Sequence, residues 1–360
     1  MSRFPGTRAR AWARGLVLRT TGSGRRRLAL EHGRLHSHDR EPGLTDLDEV
    51  GVVDSDGLAI HYYVVGPPPD EASATVVFAH GFTLAAESFY LQVEHLRQHH
   101  PTVRSVLLDL RGHGRTGACS PAVCTIDGLG RDVRAVVEHC APMGPLILVG
   151  HSLGGLAVLA ALRQLRADAP DTHARISGVT LVSTSVESLA TQGIPQVLAS
   201  PVADQIMAGV EASPRDARKI REAAAKFLAP TLATAVFKRP TGYDLIEFHA
   251  AMIHETPLAS FVGFFDDLQE HDELRAAEAI RDKPGWVLVG QRDEVTPMSQ
   301  SDRLLEVWPR AWSQVAEGAG HMLILEAPGI INNALNRLLE RVPAPTRRTS
   351  PRRSSHRPPG

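Results

Sequence analysis

Cysteine is scarce in this chain of 360 residues: Cys119, Cys124 and Cys140 form neither an even disulfide set nor a C-x-x-C metal pair. A disulfide scaffold and a cysteine-based zinc module are thereby excluded, and a reducing, cytoplasmic setting is expected. Cys119 and Cys124 are close enough in sequence to permit a disulfide, but solvated or packed thiols are the reading that fits. No apolar run reaches the roughly 18 residues that a membrane-spanning helix needs, which argues against an integral membrane protein. Residues 1–30 hold no acidic residue. They overlap in composition with a transit peptide, yet they lack the apolar core of a secretory signal. No internal repeat is found.

What is present suffices for a large core. With 43% hydrophobic residues, the length allows one large domain or two modest ones. The formal net charge of −1 conceals an uneven distribution: ten arginines face two acids in residues 1–40, and six arginines face none in 341–360, leaving −15 on residues 41–340. An acidic body therefore sits between basic ends. In the N-terminal arm, Ala9, Trp12, Ala13 and Leu16 fall at helical spacing with Arg8, Arg14 and Arg19 around them. This pattern offers peripheral contact with an anionic membrane surface, and equally fits a solvated, disordered arm. The tail, rich in Pro, Ser and Arg, is expected to be disordered. Arginine-rich ends alone do not specify a nucleic-acid partner.

From residue 50 onward a regular alternation emerges. "VGVVDSDGLAIHYYVVG" reads as two strands around an Asp-Gly turn. Short apolar strands are predicted at Ala74–Gly81, Val103–Asp109, Leu146–Gly150 and Ile176–Thr184, with helices at Ala85–His99, Ile126–Cys140 (capped by Thr125) and Leu153 to about Ala167. Strands without a polar face that alternate with helices predict a mostly parallel sheet of about eight strands, covered on both faces, with the hairpin as an antiparallel edge. Residues 186–275 break the pattern with helical segments, including "VADQIMAGVEA", "DARKIREAAAKFL", "LIEFHAAMIHE" and "ASFVGFFDDLQEH". Alternation resumes at Gly285–Pro297 and Trp312–Met322 and closes with a helix near Gly329–Arg341.

Gly150-His151-Ser152-Leu153-Gly154 fits G-x-S-x-G between a strand and a helix, a context in which the glycines clear space for a sharp turn that exposes the serine. A serine hydroxyl needs a base, and the base an orienting acid. Asp293 and His321 each follow a later strand, giving the order Ser, Asp, His of this architecture; Glu294 is the alternative acid. An oxyanion requires backbone donors, for which the N–H groups of Leu153, directly after the serine, and Phe82, in the loop after Ala74–Gly81, are the candidates. His80 and Gly81 are read as shaping that loop. His95, His99 and His100 are read as a polar helix end rather than a metal cluster.

In order, "HGF" (80–82), "DLRGHGRT" (109–116), "GHSLGG" (150–155), "GQRDEVTP" (290–297) and "GAGHMLILEAP" (318–328) resemble the motifs of the α/β-hydrolase fold superfamily over about residues 50–342. The resemblance implies a Ser152–Asp293–His321 triad, an oxyanion hole from Phe82 and Leu153, structural roles for Asp109 and Arg111, and a helical cap. It implies a core at 46–185 and 276–342, a cap at 186–275, and basic ends at 1–45 and 343–360 outside the family pattern. Phe261, Phe264 and Phe265 are candidates for the substrate-facing side of the cap. The expected activity is hydrolysis of a carboxylic ester or related small acyl substrate, with no cofactor and no metal. Carbon–carbon bond hydrolysis, a perhydrolase activity and a catalytically idle binding scaffold are the alternatives. The serine excludes the aspartate-nucleophile chemistry of epoxide hydrolases and haloalkane dehalogenases.

Overall fold

A computed structural model describes residues 42–188 and 236–342. The N-terminal arm, the tail, and the cap segments "VADQIMAGVEA" and "DARKIREAAAKFL" lie outside the described residues. Eight strands form one sheet in the order β1-β2-β4-β3-β5-β6-β7-β8. They are β1 (Glu49–Ser55), β2 (Leu58–Val65), β3 (Ala74–Ala79), β4 (Val103–Leu108), β5 (Leu146–His151), β6 (Ile176–Val182), β7 (Gly285–Gly290) and β8 (Ala311–Ala316). β1 and β2 pair antiparallel from Glu49↔Val64 to Ser55↔Leu58. Asp56 and Gly57, both at positive φ (55° and 78°), make the tight turn that matches strand twist. β2 joins β4 antiparallel, and every later pairing is parallel.

All residues of β3, β4 and β5 are buried, and their side chains alternate between two cores. Val77, Ala79, Leu146 and Leu148 join one core with Leu129, Val133, Leu156 and Trp308. Val76, Phe78, Ile147 and Val149 join the other with Phe89, Leu96, Leu323 and Leu335. The period of two along a strand thus feeds a helical layer on each face. Among the described residues, the helices of six residues or more are α1 (Tyr90–His99), α2 (Ile126–Cys140), α3 (Leu153–Asp168), α4 (Tyr243–Glu255), α5 (Leu258–Gly263), α6 (Phe265–Glu270), α7 (Met298–Val307) and α8 (Pro328–Leu339). On the first face α2 and α3 approach so closely that a Cβ at Gly130 would lie 2.7 Å from the Ala160 Cβ. Thr125 caps α2, accepting from the Gly128 N–H at 3.0 Å, a bond worth about 1 kcal/mol.

Several boundaries differ from the sequence reading: the strands expected to reach Gly81 and Asp109 end at Ala79 and Leu108, the one expected to end at Gly150 runs to His151, and three further differences are in the first helix, β6 and the final helix. The segment expected to be helical from Ala85 begins as a 3-10 turn at Ala86–Phe89, because Asp109 Oδ1 draws in the Ala86 N–H at 2.8 Å. β6 stops at Val182: Ser183 takes φ 46°, and Thr184 turns its hydroxyl onto the Ser152 carbonyl at 2.7 Å. The final helix starts at Pro328, whose missing N–H costs nothing in a first turn. The chain leaves the sheet after β6 and returns beside its point of departure, where Glu187 and Asp272 form an antiparallel bridge and the Glu273 N–H donates to the Val186 carbonyl at 2.8 Å.

Candidate active site

Ser152 sits between β5 and α3 at φ 52°, ψ −120°, a region costing a non-glycine residue on the order of 1–3 kcal/mol. Surrounding glycines make room for it. A Cβ at Gly154 would collide with the carbonyls of Ala79 and His80, one at Gly150 with the Gly154 carbonyl, and one at Gly155 with the Thr184 side chain. The turn is held by the Ser152 N–H donating to the Val182 carbonyl at 2.9 Å and by Thr184. Its hydroxyl stands at the N-terminus of a 16-residue helix, where the backbone field favours negative charge. Ser152 Oγ has no hydrogen-bond partner among the described residues, as is common before substrate tightens a site.

Asp293 and His321 meet directly. His321 Nδ1 lies 3.1 Å from Oδ1 and 3.0 Å from Oδ2 of Asp293. Facing a carboxylate, Nδ1 carries the proton, which leaves Nε2 as an acceptor. Asp293 also accepts from the N–H groups of Val295 and Thr296, each at 2.9 Å, and from the Thr296 hydroxyl at 2.9 Å. Burial pushes this carboxyl upward, but the adjacent His321 and the Thr296 bonds outweigh it and hold Asp293 below the usual carboxylate range. The two loops join because Gly290 leaves room: a Cβ there would strike the carbonyls of Gly320 and Ala319. Glu294, the alternative acid, turns outward to Lys238 Nζ at 2.8 Å with 77% of its side chain exposed.

The loop after β3 reaches the serine. A Cβ at Gly81 would lie 3.2 Å from Ser152 Cβ and 2.7 Å from His151 Nδ1. His80 shapes this loop as expected: Nδ1–H donates to the Gly81 carbonyl at 2.8 Å, while Nε2 accepts the Leu110 N–H at 3.1 Å. Phe82 packs edge-on against His113 and Phe264, at ring-centroid distances of 5.6 and 6.2 Å. Phe264 is fully buried there. The side chains of Phe261 and Phe265 lie outside the described residues. Leu153 is the first residue of α3, where helix geometry leaves the N–H without an intrahelical acceptor.

Several supporting residues escape a motif search. His151 donates from Nε2 to the His321 carbonyl at 3.1 Å, with the two rings 5.1 Å apart, so the residue before the serine braces the loop of the histidine. Burial and the neighbouring His321 draw His151 down to about 3. Glu326 accepts the N–H groups of Gly320, Lys238 and Arg239 at 2.6, 3.1 and 3.0 Å, tying the His321 loop to the chain entering α4. Its place in "GAGHMLILEAP" is the only sequence signal for it.

Asp109 and Arg111 have bracing contacts. Asp109 accepts from the Tyr63 hydroxyl and the N–H groups of Ala86 and Arg115, all at 2.8 Å. Arg111 is fully buried against Asp132, with Nη2 2.7 Å from Oδ1. His95 and His100 both meet Asn336 Oδ1, at 2.9 and 2.8 Å, which joins the end of α1 to α8. Among the described residues no cluster of His, Cys, Asp and Glu could hold a metal ion, and no helix is long and apolar enough to cross a membrane.

Residues 76–334 match the model of the alpha/beta hydrolase family. The chain is 27% identical over 284 residues to a pimeloyl-[acyl-carrier protein] methyl ester esterase of Xanthomonas axonopodis pv. citri, covering 79% of this chain and all of that protein. Among solved structures it resembles a thermophilic esterase from Thermogutta terrifontis, with a TM-score of 0.61, 21% identity, and coverage of 83% of this chain and 99% of the other. The enol-lactonase of Burkholderia xenovorans LB400 aligns with a TM-score of 0.61 and 21% identity over 81% of this chain and all of that one. With its eight-stranded, mostly parallel sheet and this match over most of its length, the chain belongs to the alpha/beta hydrolase family and is an enzyme of hydrolase type.

Proposed function

We propose that this esterase-type α/β hydrolase cleaves a carboxylic ester or related acyl substrate through Ser152, His321 and Asp293 and a covalent acyl-enzyme. The observation that carries the reading is the Asp293–His321 pair, which sets the imidazole tautomer, tied through His151, the residue before Ser152, to the strained turn that holds the serine. His321 Nε2 takes the proton of Ser152 as Oγ attacks the substrate carbonyl, and the charge that develops on the imidazole is balanced by Asp293. Charge on the carbonyl oxygen is met by the backbone N–H groups of Phe82 and Leu153. His321 then protonates the departing alcohol, and the same nitrogen activates the water that releases the acid and restores Ser152.

The names of the relatives support an ester or lactone bond as the target: a methyl ester esterase along its full length, and an esterase and an enol-lactonase sharing the fold. In this reading the described helices of the inserted segment, α4 to α6, cover the site, and Phe264 lines its acyl side. Ser152→Ala is expected to abolish p-nitrophenyl ester hydrolysis with an unchanged circular dichroism spectrum, and a fluorophosphonate probe is expected to label Ser152 alone. Activity retained in the alanine variant, or labelling at another residue, would overturn the assignment.

A further inference from the structure

The loop after β4 carries two thiols that hydrolysis does not use. Cys119 and Cys124 are both reduced, yet their sulfurs lie 3.3 Å apart. The 3-10 turn Pro121–Val123 folds the intervening chain back on itself, and Arg111 pins that turn by donating from Nη1 to the Val123 carbonyl at 3.0 Å. The two sulfurs differ in access. Cys124 is 1% exposed, whereas Cys119 is half-buried. Thiolate character follows the same asymmetry: the contact with Cys124, aided by Arg111, draws the more accessible Cys119 thiol downward. Cys140, buried elsewhere, is pushed up to about 12 by burial. An accessible thiolate next to a second thiol is the arrangement that oxidises selectively.

We infer that Cys119 and Cys124 form a hydroperoxide-sensitive dithiol, in which Cys119 is the attacking thiolate and Cys124 the resolving thiol. The Cys119 sulfur attacks one peroxide oxygen and breaks the O–O bond. Cys119 sulfenic acid forms, and the other oxygen leaves, protonated, as water when the oxidant is hydrogen peroxide. The Cys124 sulfur then displaces the sulfenic hydroxyl as a second water. In sum two thiols are oxidised to one disulfide and one peroxide is reduced to two waters. Bonding requires the sulfurs to close from 3.3 Å to about 2.05 Å.

That movement reaches the helical segment beyond β6. Gly263 of α5 packs on Cys124, where a Cβ would lie 2.7 Å from the sulfur. The same loop is bonded to this segment from Ser260 Oγ to the Gly112 carbonyl at 2.5 Å and from the Ile126 N–H to Asp267 Oδ2 at 2.5 Å. Oxidation therefore shifts the elements that pack against Phe264 and Phe82, and with them the KM for an ester; this part alone rests on the proposed hydrolysis.

The test uses the full chain, reduced and then treated with hydrogen peroxide, blocked with a thiol alkylator and digested with trypsin. Peptide Thr116–Arg131 holds both cysteines, and Cys140 falls in another peptide. The expected result is loss of two hydrogens from Thr116–Arg131 without alkylation, reversal by dithiothreitol, and Cys140 still alkylated. In Cys124→Ser, dimedone is expected to trap a sulfenic acid at Cys119; in Cys119→Ser, none forms at Cys124. Full alkylation of both thiols after peroxide, linkage to Cys140, or trapping at Cys124 would overturn the inference. Peroxide is also expected to shift the KM of the wild type reversibly and not that of the Cys119→Ser/Cys124→Ser double variant. A disulfide that forms with KM unchanged would remove the coupling while leaving the dithiol, and failure of the hydrolytic reading would leave the mass measurement untouched.

Discussion

His321 Nδ1 lies 3.0 Å from Asp293 Oδ2 although 27 residues separate them in the chain, and both are almost wholly buried. The contact defines which imidazole nitrogen is free to take a proton. Replacing the acid by its amide keeps the volume and removes both the charge and the tautomer preference. Asp293→Asn is expected to lower kcat/KM for a p-nitrophenyl ester by about 10⁴, measured against wild type at one pH, with the fold retained.

Protonation of this carboxylate is linked to stability. Its pKa is lowered in the folded state, so its contribution is fully present above the unfolded-state value of about 3.9 and is lost as pH falls through the folded value. Two histidines act at higher pH. His113 and His151 are both drawn down to about 3, chiefly by burial. The unfolded chain takes up protons there from about pH 6.5 downward while the folded chain refuses them, so stability falls as pH drops from about 6.5 towards 3, by up to about 1.4 kcal/mol per pH unit per group. Urea unfolding between pH 7 and pH 5 is expected to show this slope, and His151→Asn to reduce it.

The turn at Ser152 predicts an inversion of the usual cost of glycine. Ser152→Gly is expected to be at least as stable as Ser152→Ala, because glycine relieves a strain of roughly 1–3 kcal/mol, more than the roughly 0.5–1 kcal/mol it adds to unfolded-chain entropy. Gly154→Ala runs the other way. Its Cβ would meet the Ala79 carbonyl, with an expected loss of about 1–3 kcal/mol. Denaturant midpoints of the three variants decide both points.

Glu326 carries three backbone N–H groups of the loops around His321. Glu326→Ala leaves these donors without their acceptor, at an expected cost of about 1–3 kcal/mol for each one left buried. Since Glu326 acts through the position of His321, the activity loss is expected mainly in kcat, with Glu326→Gln recovering part of it.

Arg111 and Asp132 are both fully buried, and cutting such a pair typically costs about 3–5 kcal/mol. Asp132→Ala is expected to show that loss in thermal unfolding while the folded fraction keeps its kcat.

The sequence by itself determined most of the framework and the chemistry on offer. Local forces suffice for those parts: Asp56-Gly57 permits the tight hairpin turn, unbroken apolar runs such as Leu146–Val149 have no polar face to show, and Thr125 caps a helix whose limits, Ile126–Cys140, match the periodic pattern. The Gly-x-Ser-x-Gly spacing marked Ser152 because steric clearance is a property of neighbouring residues. Tertiary structure alone decided the rest, because those contacts join residues far apart in the chain. It set aside the alternative acid, since Glu294 faces Lys238 while Asp293, the residue already preferred, faces His321. It recruited His151 and Glu326 as braces through backbone groups that carry no side-chain signature. It also ended β6 early, where Thr184 bonds the carbonyl of Ser152, 32 residues before it. And it folded Cys119 against Cys124, whose spacing permits a disulfide but by itself favoured separate solvated or packed thiols.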